Sequence, residues 1–241
     1  MIELNRRKKR MLKWGKTLMK KMLIIIVVLA SILIGMIMYK NMATGSKNNI
    51  NIQEIQKIEE NISNIYLWKE VTNVALPEFE NINETKDIWI WEVVKKNIDK
   101  FQVGYDEIIQ TSKKIFGQNF NKEFPKSGNS SFKYNEEKDI YIPTEVTLDQ
   151  MEDVFIISDI KKNEEGYEVE IIEYLEDYSN EQKVVIKNLT EEEIGQVSIS
   201  ESETKIQEIV KENVSRFNKK KIILKIEDNR LIVQKVTKIQ E

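Results

Sequence analysis

Hydrophobic residues recur along this chain in three rhythms, and each rhythm predicts a different kind of element. Residues 22–39, MLIIIVVLASILIGMIMY, are uninterrupted by charge from Met22 to Tyr39. At the helical rise of ~1.5 Å per residue the run reaches about 27 Å, close to the ~30 Å hydrocarbon core of a bilayer, so it predicts a transmembrane helix. A buried core helix would keep a polar stripe, and none is present.

Helical spacing takes over next. Residues 40–51 are polar and read as a linker. Ile55, Ile58, Ile62 and Ile65 then recur at intervals of three and four, the seam of a helix too short for an autonomous coiled coil, which Leu76-Pro77 ends. Thr85 is a candidate N-cap for a second helix carrying Ile88, Trp91, Val93 or Val94, Ile98 and Phe101. After Gly104, the residues Tyr105, Ile108, Ile109, Ser112 and Phe116 form a third apolar face, closed by Gly117. Trp89, Trp91, Phe101, Tyr105 and Phe116 could line a pocket, but at this spacing core packing is the default.

From residue 139 onward the period shortens to two. Residues 120–135 are polar with Pro125 and Gly128 and are expected to be a loop. Strands are expected over 139–143, 154–160, 167–175 (YEVEIIEYL) and 184–186. KNEEG at 162–166 is the turn of an antiparallel hairpin. The acidic, Ser-bearing stretch 191–202 is expected to be a loop, and Ile206, Ile209, Val210, Val214 and Phe217 a further helix. Residues 222–226 and 231–239 flank Glu227-Asp228-Asn229-Arg230 as a closing hairpin. Helices first and strands later predict an α+β domain, with helices on one face of an antiparallel sheet. The organisation expected is therefore a basic segment at 1–21, the span at 22–39, a linker and membrane-proximal helix at 40–84, and an extracytoplasmic domain at 85–241.

Charge orients this arrangement. Arg6, Arg7, Lys8, Lys9, Arg10, Lys13, Lys16, Lys20 and Lys21 stand against the single Glu3, and positive flanks stay in the cytoplasm. The amino terminus is expected inside and the carboxyl-terminal domain outside, anchored in the lipid bilayer through residues 22–39. The apolar run is longer than a typical signal-peptide core, and Asn41-Met42-Ala43 lacks a small residue three before a possible cut, so the anchor is expected to be retained. The chain totals −3; the leader contributes +8 and the span nothing, leaving −11 on residues 40–241. Nucleic acid is thereby disfavoured as a partner, because binding it relies on Lys and Arg neutralising phosphates. Basic proteins, cell-wall cations and other envelope subunits are electrostatically permitted, and the seam of Ile55, Ile58, Ile62 and Ile65 leaves a homo-oligomer open.

Candidate chemistry is sparse. With no Cys and no His, disulfides, a lipoprotein anchor, Ser-His and Cys-His nucleophile systems and most zinc sites are excluded. Ser-X-X-Lys, the nucleophile pattern of penicillin-recognising enzymes, occurs at Ser130/Lys133, Ser158/Lys161 and Ser202/Lys205. In so Lys-rich a chain chance alone supplies about two such pairs, and the companion motifs are missing. Glu164/Glu165 and Glu191/Glu192/Glu193 could supply carboxylates for sugar cleavage, but neighbours in sequence point apart and a solvated charge run is the plainer reading. Asn-X-Ser/Thr triplets at Asn61, Asn83, Asn129, Asn188 and Asn213 fit chance in an Asn-rich chain. No catalytic, cofactor-binding or metal-ligating residue is assigned.

The helical stretch 91–116, followed by the strands at 167–175 and 222–239 behind a single anchor, resembles the NTF2-like (cystatin-like) extracytoplasmic domains of Gram-positive membrane proteins. The resemblance covers roughly residues 85–241 and departs at the extra helix of 206–217. It implies helices packed on a curved antiparallel sheet, used for binding or assembly at least as often as for catalysis. The function expected is a membrane-anchored envelope binding or assembly module without catalysis. A ligand-binding envelope sensor and an envelope hydrolase are the alternatives.

Overall fold

A computed structural model describes residues 50–145, 151–200 and 203–240; the expected transmembrane span and basic leader lie outside these residues. Among the described residues no helix is long and apolar enough to cross a membrane. The chain divides into two compact units, Met1–Gln56 and Lys57–Glu241. Of the first, the description covers the start of helix α1 (Ile52–Ile65), where Asn51 and Glu54 cap each other: each backbone N–H donates to the other's side chain at 2.9 Å.

The second unit is α+β, with helices packed against antiparallel sheets. Its helices are the remainder of α1, the short α2 (Lys69–Thr72), α3 (Asp87–Lys96), α4 (Tyr105–Phe116) and α5 (Glu203–Glu212). A two-stranded sheet pairs β1 (Phe132–Asn135) with β2 (Ile140–Pro143). The main sheet contains β3 (Met151–Lys162), β4 (Gly166–Asp177), β5 (Lys183–Lys187), β6 (Glu193–Ser198), β7 (Asn218–Glu227) and β8 (Arg230–Lys238), all antiparallel. β4 is its trunk. One edge of β4 pairs with β3, while the other is shared: β7 takes residues 166–173 and β5 takes 175–177. The sheet forks there into a β7–β8 branch and a β5–β6 branch.

That fork explains the broken alternation in YEVEIIEYL. Successive side chains of a strand face opposite sides. Tyr167, Val169, Ile171, Glu173 and Leu175 face one way, toward α1 and the segment carrying Leu76. The opposite side of the first half of β4 carries Glu168 and Glu170, half-buried at the surface. In the second half that side is covered by α5, and Ile172 and Tyr174 join a cluster with Ile156, Val184, Ile186, Val197, Ile206, Val210 and Phe217. Helices thus cover both faces, where the sequence pattern predicted one. Gly195 in β6 permits this packing, since a Cβ there would stand 2.9 Å from Ile209 Cγ2 of α5.

The seam of α1 turns inward: Ile58, Ile62 and Ile65 are fully buried, and Asn61 Nδ2 donates to the Leu231 carbonyl at 2.7 Å. α3 begins at Asp87 after Lys86, and Thr85 instead closes a 3-10 turn over Ile82–Glu84, so the expected cap is displaced. α3 ends at Lys96, and Phe101, expected on its apolar face, is 94% exposed. Trp89, Trp91 and Phe116 do pack as core, and the half-buried Tyr105 ring packs against Phe124 and Tyr141. Trp91 meets Phe120 and Phe124 edge-on at 6.1 and 4.9 Å, and Phe124 meets Phe132 and Tyr141 at 5.5 and 5.0 Å, which fastens the β1–β2 hairpin to α3. β1 and β6 lie in stretches expected to be loops.

At the end of β4, Lys187 Nζ stands 2.6 Å from Asp177 Oδ2, and this bond, with one from Ser179, holds the Asp177 carboxyl down at about 2. A carboxyl depressed on folding stabilises above its unfolded value near 3.8, and the contribution is lost as pH falls toward 2. Asp177→Asn is therefore expected to cost about 1–2 kcal/mol at neutral pH and only a small fraction of that near pH 2, read from urea midpoints across that range. Equal destabilisation at both pH values would contradict this account of the pair.

Candidate functional site

Two neighbouring features concentrate polar chemistry in the second unit: an ion pair sealed beneath α1, and a cleft at the start of β3. The sealed pair joins Glu173 of β4 to Lys220 of β7. Glu173 is 0% exposed and Lys220 5%. Lys220 Nζ lies 3.0 Å from Glu173 Oε1 and 2.9 Å from Oε2, and also donates to the Leu76 carbonyl. The Tyr66 and Glu173 side chains interact, and the Tyr66 hydroxyl donates to the Val154 carbonyl at 3.3 Å. Burial lifts the Glu173 carboxyl above the ordinary range, opposed by the Lys220 charge; burial, reinforced by the negative charges of Glu173 and Asp153, raises the Tyr66 phenol well above its usual value.

The cleft encloses about 200 Å³ and is lined by Lys69, Asn73, Met151, Asp153, Leu175 and Glu191. Asp153 is buried, and its Oδ2 accepts from the Lys69 backbone N–H at 2.6 Å. Lys69 Nζ donates to the Leu189 carbonyl at 3.1 Å and stands 3.8 Å from Glu191 Oε1. Asn73 takes the left-handed conformation at φ 63° that ends α2. The volume falls below the ~300–1,000 Å³ typical of small-molecule sites. Its carboxylates and ammonium suit hydrogen bonding to a small polar group. Among the described residues no Ser, Thr or Tyr hydroxyl lines it.

The sequence's candidate motifs are dispersed. Ser158 donates to the Glu170 carbonyl at 3.1 Å, and Lys161 instead faces Asp159, Glu168 and Glu170 at 3.3, 3.9 and 3.9 Å. Ser202 lies outside the described residues. The run Glu191-Glu192-Glu193 is split among elements: Glu191 faces Lys69, Glu192 pairs with Arg216 at 2.8 Å, and Glu193 opens β6. Asn188 closes this turn by accepting from the backbone N–H groups of Thr190 and Glu192. Glu164 and Glu165 sit at the exposed β3–β4 turn. Sequence reasoning passed over Glu173, Lys220 and Asp153. The signal for the first was a charge interrupting the apolar side of YEVEIIEYL.

Among the described residues no group of three or more acidic side chains is arranged to hold a metal ion. Compared with known proteins, the chain matches no family model, no curated sequence and no solved structure.

Proposed function

We propose that this protein is a single-pass, membrane-anchored extracytoplasmic module of a bacterial envelope that binds or assembles with other envelope proteins, and that it is not an enzyme. The uncharged run of residues 22–39 behind nine cations carries the reading, because lipid is a better solvent than water for a helix of Ile, Leu, Val and Met. Support for binding over catalysis comes from the helix-facing side of the sheet. Its space is filled by large side chains, Trp89, Ile58, Ile62, Ile171, Ile222 and Val236 among them, all fully buried. A packed interior leaves the outer surface as the part of the unit that a partner protein can meet. The fully exposed Phe101 adds an apolar side chain available to a partner.

A ligand sensor is the second reading, favoured by the small cleft around Asp153. A small amine would be its simplest ligand, opposite the carboxylates of Asp153 and Glu191.

Cell fractionation tests the primary reading. The full chain is expected in the carbonate-resistant membrane fraction, with residues 57–241 digested by protease added to wall-stripped cells. Deletion of residues 22–39 is expected to leave a soluble protein. Recovery of the intact chain in the cytosol, or protection of the acidic domain from protease, would overturn the placement. Crosslinking in native membranes that yields uncrosslinked monomer alone would overturn assembly.

A further inference from the structure

The cleft beside Asp153 lies far from the point where the chain enters its unit. Entry is at Lys57, whose Nζ donates to the Asn229 carbonyl in the β7–β8 turn. That turn stands beside the start of β4, where Gly166 pairs with Lys225. Leu175, which lines the cleft, lies about 30 Å further along the same strand at ~3.3 Å per residue.

The walls of the cleft are of two kinds. Leu175 and Met151 are apolar and offer no oxygen to a hard cation, and among the described residues no three acidic side chains are grouped to hold a metal ion. Asp153 and Glu191 supply carboxylates. Asp153 is 9% exposed, and the Lys69 backbone N–H fixes its Oδ2 at 2.6 Å, so this carboxylate is held in position before a ligand arrives. A carboxylate accepts about four hydrogen bonds, so a bound donor adds to those already made. Among the described residues Lys69 is the only cation of the lining, and its Nζ is drawn aside by the Leu189 carbonyl at 3.1 Å and Glu191 Oε1 at 3.8 Å. Two carboxyl groups against one ammonium leave the cleft a formal charge of −1.

We infer that the cleft binds a primary ammonium carried on a short unbranched hydrocarbon stem, either a lysine side chain of a partner protein or a free alkylamine of the same shape. The ammonium neutralises the surplus charge and donates to Asp153 and Glu191, while the stem lies along Leu175 and Met151 as lysine stems lie along apolar surfaces. Size selects the same class. About 200 Å³ is small for most metabolites, yet at ~30 Å³ per water it holds about seven waters, more than the heavy atoms of a butylammonium replace. The inference deepens the reading of this cleft as a ligand site and is independent of the envelope placement.

Methionine methyl spectra test it on the full chain in detergent micelles, with the 8 Met residues carbon-13 labelled and the Met151 signal assigned by its loss in Met151→Leu. n-Butylammonium is expected to shift that signal saturably, with a dissociation constant on the order of millimolar, and n-butanol to leave it in place. Glu191→Gln, an exposed change with an unaltered circular dichroism spectrum, is expected to weaken binding at least ~3-fold, and Asp153→Asn at least ~10-fold. Lys69→Met removes the competing cation and is expected to tighten binding ~3-fold or more, a direction that a purely structural role would not produce. Nα-acetyl-lysine methylamide separates the two sources. Binding at least as tight as that of n-butylammonium assigns the cleft to a partner's lysine, and weaker binding assigns it to a free amine. No shift with either amine, an equal shift with n-butanol, or three variants that all bind as the parent does would overturn the inference. Cell fractionation reads none of these shifts, so the cleft and the membrane placement fail separately.

Discussion

Lys220→Met is expected to destabilise the folded unit by about 3–5 kcal/mol at neutral pH, one of the two largest single-residue effects in the molecule. The change removes the ammonium held against both Glu173 oxygens and leaves a carboxylate that is 0% exposed. It also strips the Leu76 carbonyl of its donor. The sign of the pH dependence follows from Glu173, whose carboxyl burial already raises. A carboxyl raised on folding binds its proton more tightly in the folded state, so its cost appears as pH climbs above the unfolded value of 4.5 and grows until the folded value is passed. Without Lys220 the carboxyl rises further, and the loss should be smallest below pH 4.

Urea denaturation over pH 3–8 checks this, and the double variant Glu173→Leu/Lys220→Met sharpens it. Two apolar side chains in place of the pair remove both buried charges, so the double variant should recover most of the loss. A single Lys220→Met variant that loses under about 1 kcal/mol with no pH dependence would show that the charge is not sealed as described.

Trp91→Ala is expected to cost about 3–5 kcal/mol, through a cavity in the aromatic cluster. Trp91 is 1% exposed and holds Phe120 and Phe124, and Phe124 in turn holds Phe132 of β1 and Tyr141 of β2. The damage should therefore be local as well as global. Amide exchange in the β1–β2 hairpin should accelerate more than exchange in the β4–β7 ladder, whose packing lies elsewhere. Trp91→Phe should cost much less than area alone implies, because the buried indole Nε1 has no hydrogen-bond partner among the described residues and its removal relieves that deficit. Uniform exchange across both regions would place the hairpin's support outside this cluster.

Glu176 adds a third titrating element to the same trunk strand. Its cross-strand neighbour is Glu152, and burial raises its carboxyl despite the Tyr178 hydroxyl bonded to it. Its contribution therefore runs with that of Glu173 and against that of Asp177, so the fold's tolerance of acid reflects opposed carboxyls along one strand.

What could be read in the one-dimensional chain was whatever neighbours within a few residues decide. The inward seam of Ile58, Ile62 and Ile65 follows from spacing, as does the helix Tyr105–Phe116 with Gly117 just beyond it. The β7–β8 turn follows from Asp228 and Asn229, which tolerate the positive φ of 49° and 62° found there. The α+β class follows from the order of these elements. The absence of His and Cys is likewise a property of composition alone, and it removes whole reaction classes before any coordinate is considered.

What tertiary structure decided depends on partners far away in the chain. β1 is four residues long and survives as a strand because Phe124 and Trp91 support it, and β6 because β5 pairs with it and α5 packs over Gly195. Phe101 continues a helical spacing that the chain abandons at Lys96, leaving the ring in solvent. Glu173 and Lys220 are 47 residues apart and become partners once β7 docks beside β4. Periodicity reports which face a residue occupies on its own element; only the docking of elements determines what that face meets, and burial energies arise at the meeting.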